Sequence, residues 1–271
     1  MVKVTPLRIL KYIFLALAAI ISVFPLYWMV ISATNENVAI IRGTLLPGTH
    51  LLQNYRGLIA LAPLGQAFAN SIIYTVSATV ASVIICSIAG YGFEVYHSRA
   101  KDRFMALLLV SVMVPFAAVM IPLFQLVSNM GLRNTTLGFM LPMLSSAFLI
   151  MLFRQSARSF PLEMIEAARI DGLSELSIFI RMFMPTMKAT YAAGIVIQFL
   201  ASWNAFLWPR LIMTPGGGSI NMPMLLNNLV SGYLVDNGIN MLAVLIASVP
   251  TMIVFFVMQR YFAEGLMGTI K

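Results

Sequence analysis

The stretch Leu64–Phe93 reads LGQAFANSIIYTVSATVASVIICSIAGYGF and holds no charged residue in 30 positions. A membrane-spanning helix needs about 20 apolar residues to cross the hydrocarbon core of a bilayer, so this run predicts a transmembrane helix. The rest of the chain has the same character, since 60% of its 271 residues are apolar and 10% are charged. A soluble domain carries about 25% charged residues. The composition therefore excludes a soluble or disordered chain and predicts a polytopic membrane protein.

Five more runs of the sequence are long and apolar enough to cross a membrane. The predicted fold is all-α, a single transmembrane domain over residues 1–271 with six helices, at residues 12–33, 67–92, 104–127, 135–153, 189–209 and 238–259. The first run exceeds the apolar core of a cleaved signal peptide and no cleavage site follows it, so we expect a retained helix. Residues 211–235 are uncharged too, but Pro215, Pro223 and three consecutive glycines interrupt them. Because unpaired backbone cannot face lipid, we expect a loop there, over the membrane surface or lining a pore mouth.

Positive charge is divided unequally between the two sides of the predicted bundle. The N-terminal segment, the loops 94–103 and 154–188, and the C-terminal segment hold 13 of the 17 Lys and Arg residues, and the other side holds four. Cytoplasmic loops carry an excess of Lys and Arg, so both termini are predicted to be cytoplasmic and the loop 211–235 extracytoplasmic. Topology thereby accounts for the net charge of +8, and no nucleic-acid partner is expected.

Motifs for catalysis or metal binding are missing from the sequence. It has no G-x-x-x-x-G-K-[ST] motif to hold ATP, and its two histidines, His50 and His97, fall in loops on opposite sides. No catalytic residue and no metal site are predicted, and a membrane enzyme is disfavoured. The six predicted spans also lack Asp, Glu, Lys and Arg, which ion-coupled transporters place inside the membrane. The energy source is therefore expected in another protein, and a channel, which needs no ionisable group, is the alternative.

The long segment of mixed charge is the predicted cytoplasmic loop 160–185, FPLEMIEAARIDGLSELSIFIRMFMP. Pro161 and Glu163 suit the first turn of a helix, and Gly172 ends that helix. Ser174 suits the N-cap of a second helix, which Pro185 interrupts. The pattern predicts two short helices joined by a turn, with apolar faces for a partner protein or, alternatively, for the membrane surface.

Glu166-Ala167-Ala168, followed after three residues by Gly172, resembles the EAA loop of ABC-importer permeases. In that family the loop lies between the fourth and fifth of six helices on the cytoplasmic side, as predicted here. The family usually closes the motif with Ile-x-Leu-Pro, where this chain has MFMP at residues 182–185; the two replacements are apolar and flexible. Residues 203–209 and 259–266 are similar to carbohydrate-type permeases of the maltose-like branch.

The resemblance implies a non-catalytic permease subunit of the bacterial plasma (inner) membrane that imports a sugar, with energy from ATP hydrolysis elsewhere. The implied partners are two ATPase subunits, a second six-span permease that the branch suggests is a different chain, an extracytoplasmic substrate-binding protein and membrane lipid. ATP and Mg would be bound by the ATPase, and no cofactor by this chain. Glycerol 3-phosphate or another small polar solute is the alternative substrate, and an ATP-independent channel or uniporter is the alternative class.

The resemblance also assigns roles to individual residues. The implied ATPase-coupling residues are Glu166, Ala167, Ala168, Asp171, Gly172 and Pro185. Glu166 would pair with a basic residue of the ATPase, the alanines would permit close helix approach, and Gly172 would make the turn. In the maltose-like branch the loop between the last two spans reaches the binding protein, and the alternative here is a plain surface loop. The candidate contacts in that loop are Asn221, Asn227, Asn228 and Tyr233.

Polar residues inside the predicted spans are candidates for the substrate path. They are Asn70, Tyr74, Gln125, Gln198, Trp203 and Asn204. Polar faces of this kind also hold transmembrane helices together, and the indole of Trp203 either stacks on a sugar or packs against a helix. The absence of a cation in the spans favours a neutral sugar.

Overall fold

The computed structural model of the chain describes residues 6–214, 219–232 and 236–268, which are helical with no strand. The α-helices of these residues are α1 (Pro6–Ala33), α2 (Asn37–Ile41), α3 (Leu51–Leu61), α4 (Leu64–Val95), α5 (Arg99–Ser111), α6 (Phe116–Asn129), α7 (Thr136–Met140), α8 (Ala147–Ala157), α9 (Leu162–Ile170), α10 (Glu175–Ile178), α11 (Met184–Thr186), α12 (Lys188–Trp203), α13 (Leu207–Ile212), α14 (Met222–Val230) and α15 (Asn237–Gly268). A 3-10 helix, Leu141–Met143, follows α7, and a π-helix, Phe179–Phe183, joins α10 to α11. The all-α prediction is confirmed for the described residues.

Three helices of the described residues have the length and hydropathy of a membrane span. They are Arg8–Thr34, Leu64–Val95 and Asn237–Tyr261. Two helix pairs pass the same test together but are bent, Arg99–Ser111 with Phe116–Asn129 by 101° and Thr136–Met143 with Ala147–Ala157 by 54°. The described residues thus hold three candidate spans, or five if each bent pair crosses as one, and these helices overlap five of the six predicted spans.

Local sequence explains both bends. Pro115 precedes α6, and because proline has no N–H and restricts the residue before it, the helix that ends at Ser111 does not continue into α6. Ser146 separates the second pair with an extended backbone, and its hydroxyl accepts a hydrogen bond from the N–H of Leu149 (3.4 Å), which caps α8.

The helix predicted at 189–209 is shorter than expected and is broken. α12 has 16 residues, about 24 Å at 1.5 Å per residue, which is less than the hydrocarbon thickness of about 30 Å. The N–H of Asn204 closes the last turn on the carbonyl of Leu200 (3.1 Å), and helical structure resumes at Leu207. Within the predicted span the structure thus has a helix, a break and a second short helix.

The segment predicted as a loop at 211–235 contains a helix. α14 follows Asn221, whose side-chain oxygen accepts a hydrogen bond from the N–H of Met224 (3.1 Å). This is the capping geometry that Asn favours at the start of a helix. The sequence prediction missed it because the prolines and glycines around it dominated the pattern.

The chain divides into two compact units, Met1–Leu64 with Leu225–Val249 and Gly65–Met224 with Pro250–Lys271. In the second unit α4 passes through three buried clusters along its length. Tyr74 belongs to a cluster with residues of α6, α7 and α13. Cys86 belongs to a second cluster with α5 and α8, and Tyr91 belongs to a third cluster with α9, α10 and the π-helix. The uncharged stretch Leu64–Phe93 is thus the central helix of this unit.

In the first unit, a buried asparagine fixes the end of α1. The side-chain amide of Asn54 donates to the carbonyls of Ala33 and Asn35, both at 2.9 Å. Gly238, at the start of α15, approaches so closely that an added Cβ would lie 2.7 Å from the Asn35 carbonyl oxygen. A buried amide with both N–H groups satisfied stabilises this arrangement.

Candidate functional site

The segment from α9 to α10 forms the predicted helix–turn–helix, whose turn is closed at Gly172. Gly172 has a φ of +80°, in the left-handed region that favours glycine. Its N–H donates to the carbonyl of Arg169, and the N–H of Leu173 donates to the carbonyl of Ala168, both at 3.0 Å. These two bonds are the Schellman motif that ends many helices. Ser174 then caps α10, its hydroxyl accepting from the N–H of Ser177 (3.4 Å). The predicted pair of helices is confirmed.

One face of this helix–turn–helix is buried within its own chain. Ile165 is 1% exposed and Ala168 is 3% exposed, and both lie in the cluster around Tyr91. The Tyr91 ring packs against Phe183 at a centroid distance of 4.9 Å. The small side chain of Ala168 therefore permits close packing inside the chain, and the expectation that it faces a partner protein is corrected.

The rest of the helix–turn–helix is exposed and carries the other predicted coupling residues except Pro185, which lies on α11. Glu166, Ala167, Asp171, Gly172 and Pro185 are all exposed. The same segment exposes large apolar side chains, namely Leu162, Met164, Ile170, Leu176 and Ile180, of which Ile170 is 86% exposed. An exposed apolar patch around an acidic side chain is typical of a surface that binds a protein.

An ion pair joins the two helices across the turn. Arg169 on α9 donates from Nε to the Glu175 carboxylate on α10 at 2.6 Å. This hydrogen bond lowers the pKa of Glu175 and raises the pKa of Arg169. The guanidinium also lies 5.7 Å from the ring centre of Tyr96, and hydrogen bonding to Glu175 raises the pKa of the Tyr96 hydroxyl. The pair links α9 to α10 next to the exposed face.

A buried arginine on α8, the helix that precedes this segment, is not among the residues predicted from the sequence. The Arg154 side chain is 5% exposed and donates from Nε to Glu94 at 3.1 Å and from Nη2 to Asp102. Glu94 is on α4, Asp102 on α5 and Arg154 on α8, so one guanidinium joins three helices. Glu94 and Arg154 fall just beyond the ends of predicted spans, and nothing in their spacing indicates that they meet.

Three of the predicted path residues are engaged within the second unit. Tyr74 is 6% exposed and stacks on Phe139 at 5.0 Å. Gln198 is 5% exposed and donates to the carbonyl of Met143 (3.1 Å). Trp203 is 3% exposed and stacks on the neighbouring Phe199 at 5.8 Å. These contacts lie between helices for Tyr74 and Gln198 and within α12 for Trp203, and a role on the substrate path stays a prediction.

The other three path candidates do not converge on one place. Asn70 is partly buried and donates to the carbonyl of Ile220 (3.0 Å), and Gln125 is exposed on α6. Asn204 is exposed and lines a cleft of about 400 Å³ at the break between α12 and α13. The cleft is also lined by Phe116, Pro142, Met143, Ala205, Phe206, Leu207 and Trp208. Gln125 is not among these lining residues, since it is nine residues beyond Phe116, about 13 Å along α6.

Aromatic residues that are not among the predicted path candidates also line this cleft. The Trp208 indole N–H donates to the carbonyls of Gly138 and Phe139 at 3.1 and 3.2 Å, and the Phe116 ring meets it edge-on at 6.4 Å. In the sequence, the segment FLWP at residues 206–209 carries a family resemblance but no sign of a cleft. Aromatic rings beside an amide are suited to hold a polar ligand with apolar faces.

The candidate contacts for a binding protein have different surroundings. Asn221 is 2% exposed and donates to the carbonyl of Ala205 (3.0 Å), besides capping α14, so it has no free surface in this structure. Asn227 and Asn228 are exposed on α14. Tyr233 lies outside the described residues. Within the part of the chain that the structure describes, His, Cys, Asp and Glu side chains form no group of three able to hold a metal ion.

The fold and the helix–turn–helix define a class of protein. The chain belongs to the family of binding-protein-dependent transport system inner membrane components, whose model matches residues 82–267. As a member of this family it is a transport component of the inner membrane that assembles with other subunits.

Individual relatives cover nearly the whole chain. It is 42% identical over 263 residues to the lactose transport system permease protein LacG of Rhizobium radiobacter, covering 97% of this chain and 96% of that protein. It is 34% identical over 262 residues to the arabinooligosaccharides transport system permease protein AraQ of Halalkalibacterium halodurans, covering 94% of each. Its fold is similar to a chain of a bacterial ABC transporter involved in the import of the acidic polysaccharide alginate, with a TM-score of 0.82, 21% identity and coverage of 94% and 95%.

Proposed function

We propose that this chain is the membrane-spanning permease subunit of an ATP-driven, binding-protein-dependent importer whose substrate is a sugar. The observation that carries the proposal is the exposed, acidic and apolar face of the α9–α10 helix–turn–helix in a chain of this family. The relatives named for lactose and for arabinooligosaccharides support a sugar as the substrate class.

The proposed topology has six spans with both termini in the cytoplasm. Five spans correspond to the three long helices and the two bent pairs, and the remaining one to α12 with α13 across the break at Asn204. The distribution of 13 against four Lys and Arg residues supports this orientation. It places α9 and α10 on the cytoplasmic side and α14 on the outer side.

The proposed coupling surface is the exposed face of α9 and α10. Glu166 pairs there with a basic residue of an ATPase subunit, and the apolar side chains of Met164, Ile170 and Leu176 are covered by the same partner. Gly172 holds the turn between the helices. The ATPase subunit binds ATP and Mg, two copies of it act in the assembly, and this chain binds no cofactor of its own.

Two further partners complete the proposed assembly. A second six-span permease, a different chain, forms the translocation path together with this one, and the cleft at Asn204 lies on that path. An extracytoplasmic binding protein delivers the sugar and contacts Asn227 and Asn228 on α14. Substitution of both asparagines by alanine should weaken binding of that protein to the assembled permease without altering permease assembly.

Co-purification tests the proposal. The tagged chain, extracted from its own cell in mild detergent, should bring down an ATPase and a second permease, and Glu166→Lys should release the ATPase while retaining the permease. Glu36→Lys is the matched control, because it reverses the charge of an exposed glutamate outside the α9–α10 face. A chain that purifies alone, and that conducts solute in liposomes without ATP, would identify a channel or uniporter instead.

The substrate is tested in vesicles that contain the complete assembly. ATP-dependent uptake of a labelled sugar should be competed by lactose or an arabinooligosaccharide and not by glycerol 3-phosphate. Competition by glycerol 3-phosphate alone would support the alternative substrate and refute the sugar assignment while leaving the importer class intact.

A further inference from the structure

The guanidinium of Arg154 binds two carboxylates from two different helices. The Arg154–Glu94 pair joins α8 to the end of α4, and the Arg154–Asp102 pair joins α8 to the first turn of α5. The two carboxylates have further partners, since Arg158 donates to Glu94 at 3.2 Å and His97 lies 2.9 Å from Asp102. Arg154 is by far the most buried member of this group.

Two other contacts hold the same helix ends together. An added Cβ at Gly90 of α4 would lie 2.7 Å from the backbone nitrogen of Arg154, so the backbones of α4 and α8 touch directly above the ion pair. The Lys101 ammonium of α5 donates to the carbonyls of Gly92 and Tyr96, at 3.1 and 2.6 Å. The C-terminal ends of α4 and α8 and the N-terminal end of α5 therefore form one closely connected group.

The helix that bears Glu166 is attached to this group by a short, ordered connection. α8 ends at Ala157 and α9 begins at Leu162. Between them the N–H of Arg158 donates to the carbonyl of Arg154 (3.2 Å), and the N–H of Phe160 donates to the carbonyl of Ala157 (3.1 Å). The start of α9 is thus joined through a hydrogen-bonded connection to the last turn of α8, where Arg154 lies.

Stability alone does not explain an arginine at this position. A buried ion pair is often no more stabilising than apolar side chains of similar volume, because both charges lose their hydration. A planar guanidinium with two carboxylates does fix the relative position of the elements that supply them. The arrangement sets geometry between three helices at the point where α9 is attached.

We propose that Arg154 is a positioning residue for transport: it makes the ends of α4 and α5 move together with α8 and α9 when the ATPase displaces α9. This rests on the proposed function. Without the guanidinium, the ATPase still binds α9 and hydrolyses ATP, but the displacement of α9 reaches the path-forming helices incompletely.

The test measures sugar uptake and ATP hydrolysis in the same vesicles, with the complete assembly and its binding protein. In Arg154→Gln, uptake per ATP hydrolysed should fall about tenfold, within the range by which residues between coupled sites change coupling. Arg154→Lys should recover part of the uptake per ATP hydrolysed, because it keeps the positive charge but lacks the planar guanidinium that binds both carboxylates. Arg103→Gln, which removes an exposed arginine of α5 without an ion pair in the described residues, should retain the wild-type ratio.

A second variant separates positioning from folding. The triple variant Arg154→Met, Glu94→Gln, Asp102→Asn removes all three charges and leaves no unpaired buried ion. It should assemble and hydrolyse ATP, with uptake per ATP reduced like that of Arg154→Gln. A wild-type ratio in the assembled triple variant, or in assembled Arg154→Gln, would overturn the proposal.

The wild-type complex distinguishes the two proposals. No ATP-dependent uptake by the wild type would count against the importer function itself. Normal wild-type uptake together with an unchanged ratio in the Arg154 variants would refute the positioning role alone.

Discussion

Substitutions at Gly172 test the backbone conformation of the turn, because a new side chain there meets no steric clash. An added Cβ at Gly172 would have no heavy atom within 4 Å, so the substituted side chain meets open space. The φ of +80° nevertheless lies in the left-handed region, which L-residues adopt at a cost of about 1–2 kcal/mol. A substitution therefore acts through the turn itself.

The size of the effect should follow the backbone preference of the new residue. Asparagine tolerates left-handed conformations, so Gly172→Asn should be close to the wild type. Gly172→Ala should destabilise the closed turn by about 1–2 kcal/mol. This free energy changes the ratio of closed to open turns by about 5- to 30-fold. Valine is β-branched, so Gly172→Val should destabilise the turn more than Gly172→Ala. It should also break the two hydrogen bonds to the carbonyls of Arg169 and Ala168.

The assay is sugar uptake per ATP hydrolysed in vesicles with the complete importer. The ratio should decrease in the order wild type, Asn, Ala, Val, while the amount of assembled complex stays the same. Gly131 is a matched control, because its φ is +70°, an added Cβ there also meets open space, and its turn has the same two hydrogen bonds at the end of α6. Gly131→Val should therefore leave uptake per ATP unchanged.

Two results would refute this explanation. Equal ratios for Gly172→Asn and Gly172→Val would mean that the left-handed conformation is irrelevant to coupling. An equal loss in Gly131→Val and Gly172→Val would mean that a strained turn anywhere in the chain impairs transport.

Four further predictions concern stability and its dependence on pH, measured by thermal unfolding in detergent. Gly90→Ala should destabilise by about 1–3 kcal/mol through overpacking, whereas Gly92→Ala, with no atom within 4 Å of the added Cβ, should be neutral or slightly stabilising. Trp208→Phe should cost about 1–2 kcal/mol, because it removes the donor to two buried carbonyls. Asn54→Ala should cost about 1–3 kcal/mol by leaving two carbonyls at the end of α1 without their donor. Because the pKa of Glu175 is lowered in the folded state, its stabilising contribution is complete above the pKa of an unfolded Glu, about 4.3, and is lost as pH falls through the folded-state value. The Glu175→Gln variant should thus melt below the wild type at pH 7 and approach it only in strong acid, and a difference that is constant from pH 7 to 3 would contradict this assignment.

Much of the fold follows from where charge is missing. The long uncharged run at Leu64–Phe93 predicts α4 because a bilayer leaves helices as the stable choice for such a segment. The breaks were harder to predict. Pro115 indicates a bend but not its angle of 101°, and the end of α12 at Asn204 depends on how the following residues pack, which apolar composition does not encode.

The helix–turn–helix was predictable because its determinants are local. Gly172 and Ser174 act on backbone groups within five residues of themselves, so sequence alone places the turn. The Arg154 pairs span 52 and 60 residues, and no local pattern indicates which carboxylates the arginine meets. Ala168 shows the same limit, since its small size is evident from the sequence but its burial depends on the position of α4.

The three clusters along α4 limit how the length of this helix can change. Each residue of an α-helix advances about 1.5 Å and turns about 100°, so one inserted residue between Tyr74 and Cys86 would rotate the remainder of α4 away from its neighbours. The clusters at Cys86 and Tyr91 would then face the wrong helices while the cluster at Tyr74 remained intact. A change in the length of α4 would thus break the packing of two clusters at once, so the fixed length of this helix sets the separation between the α9–α10 face and the cluster at Tyr74.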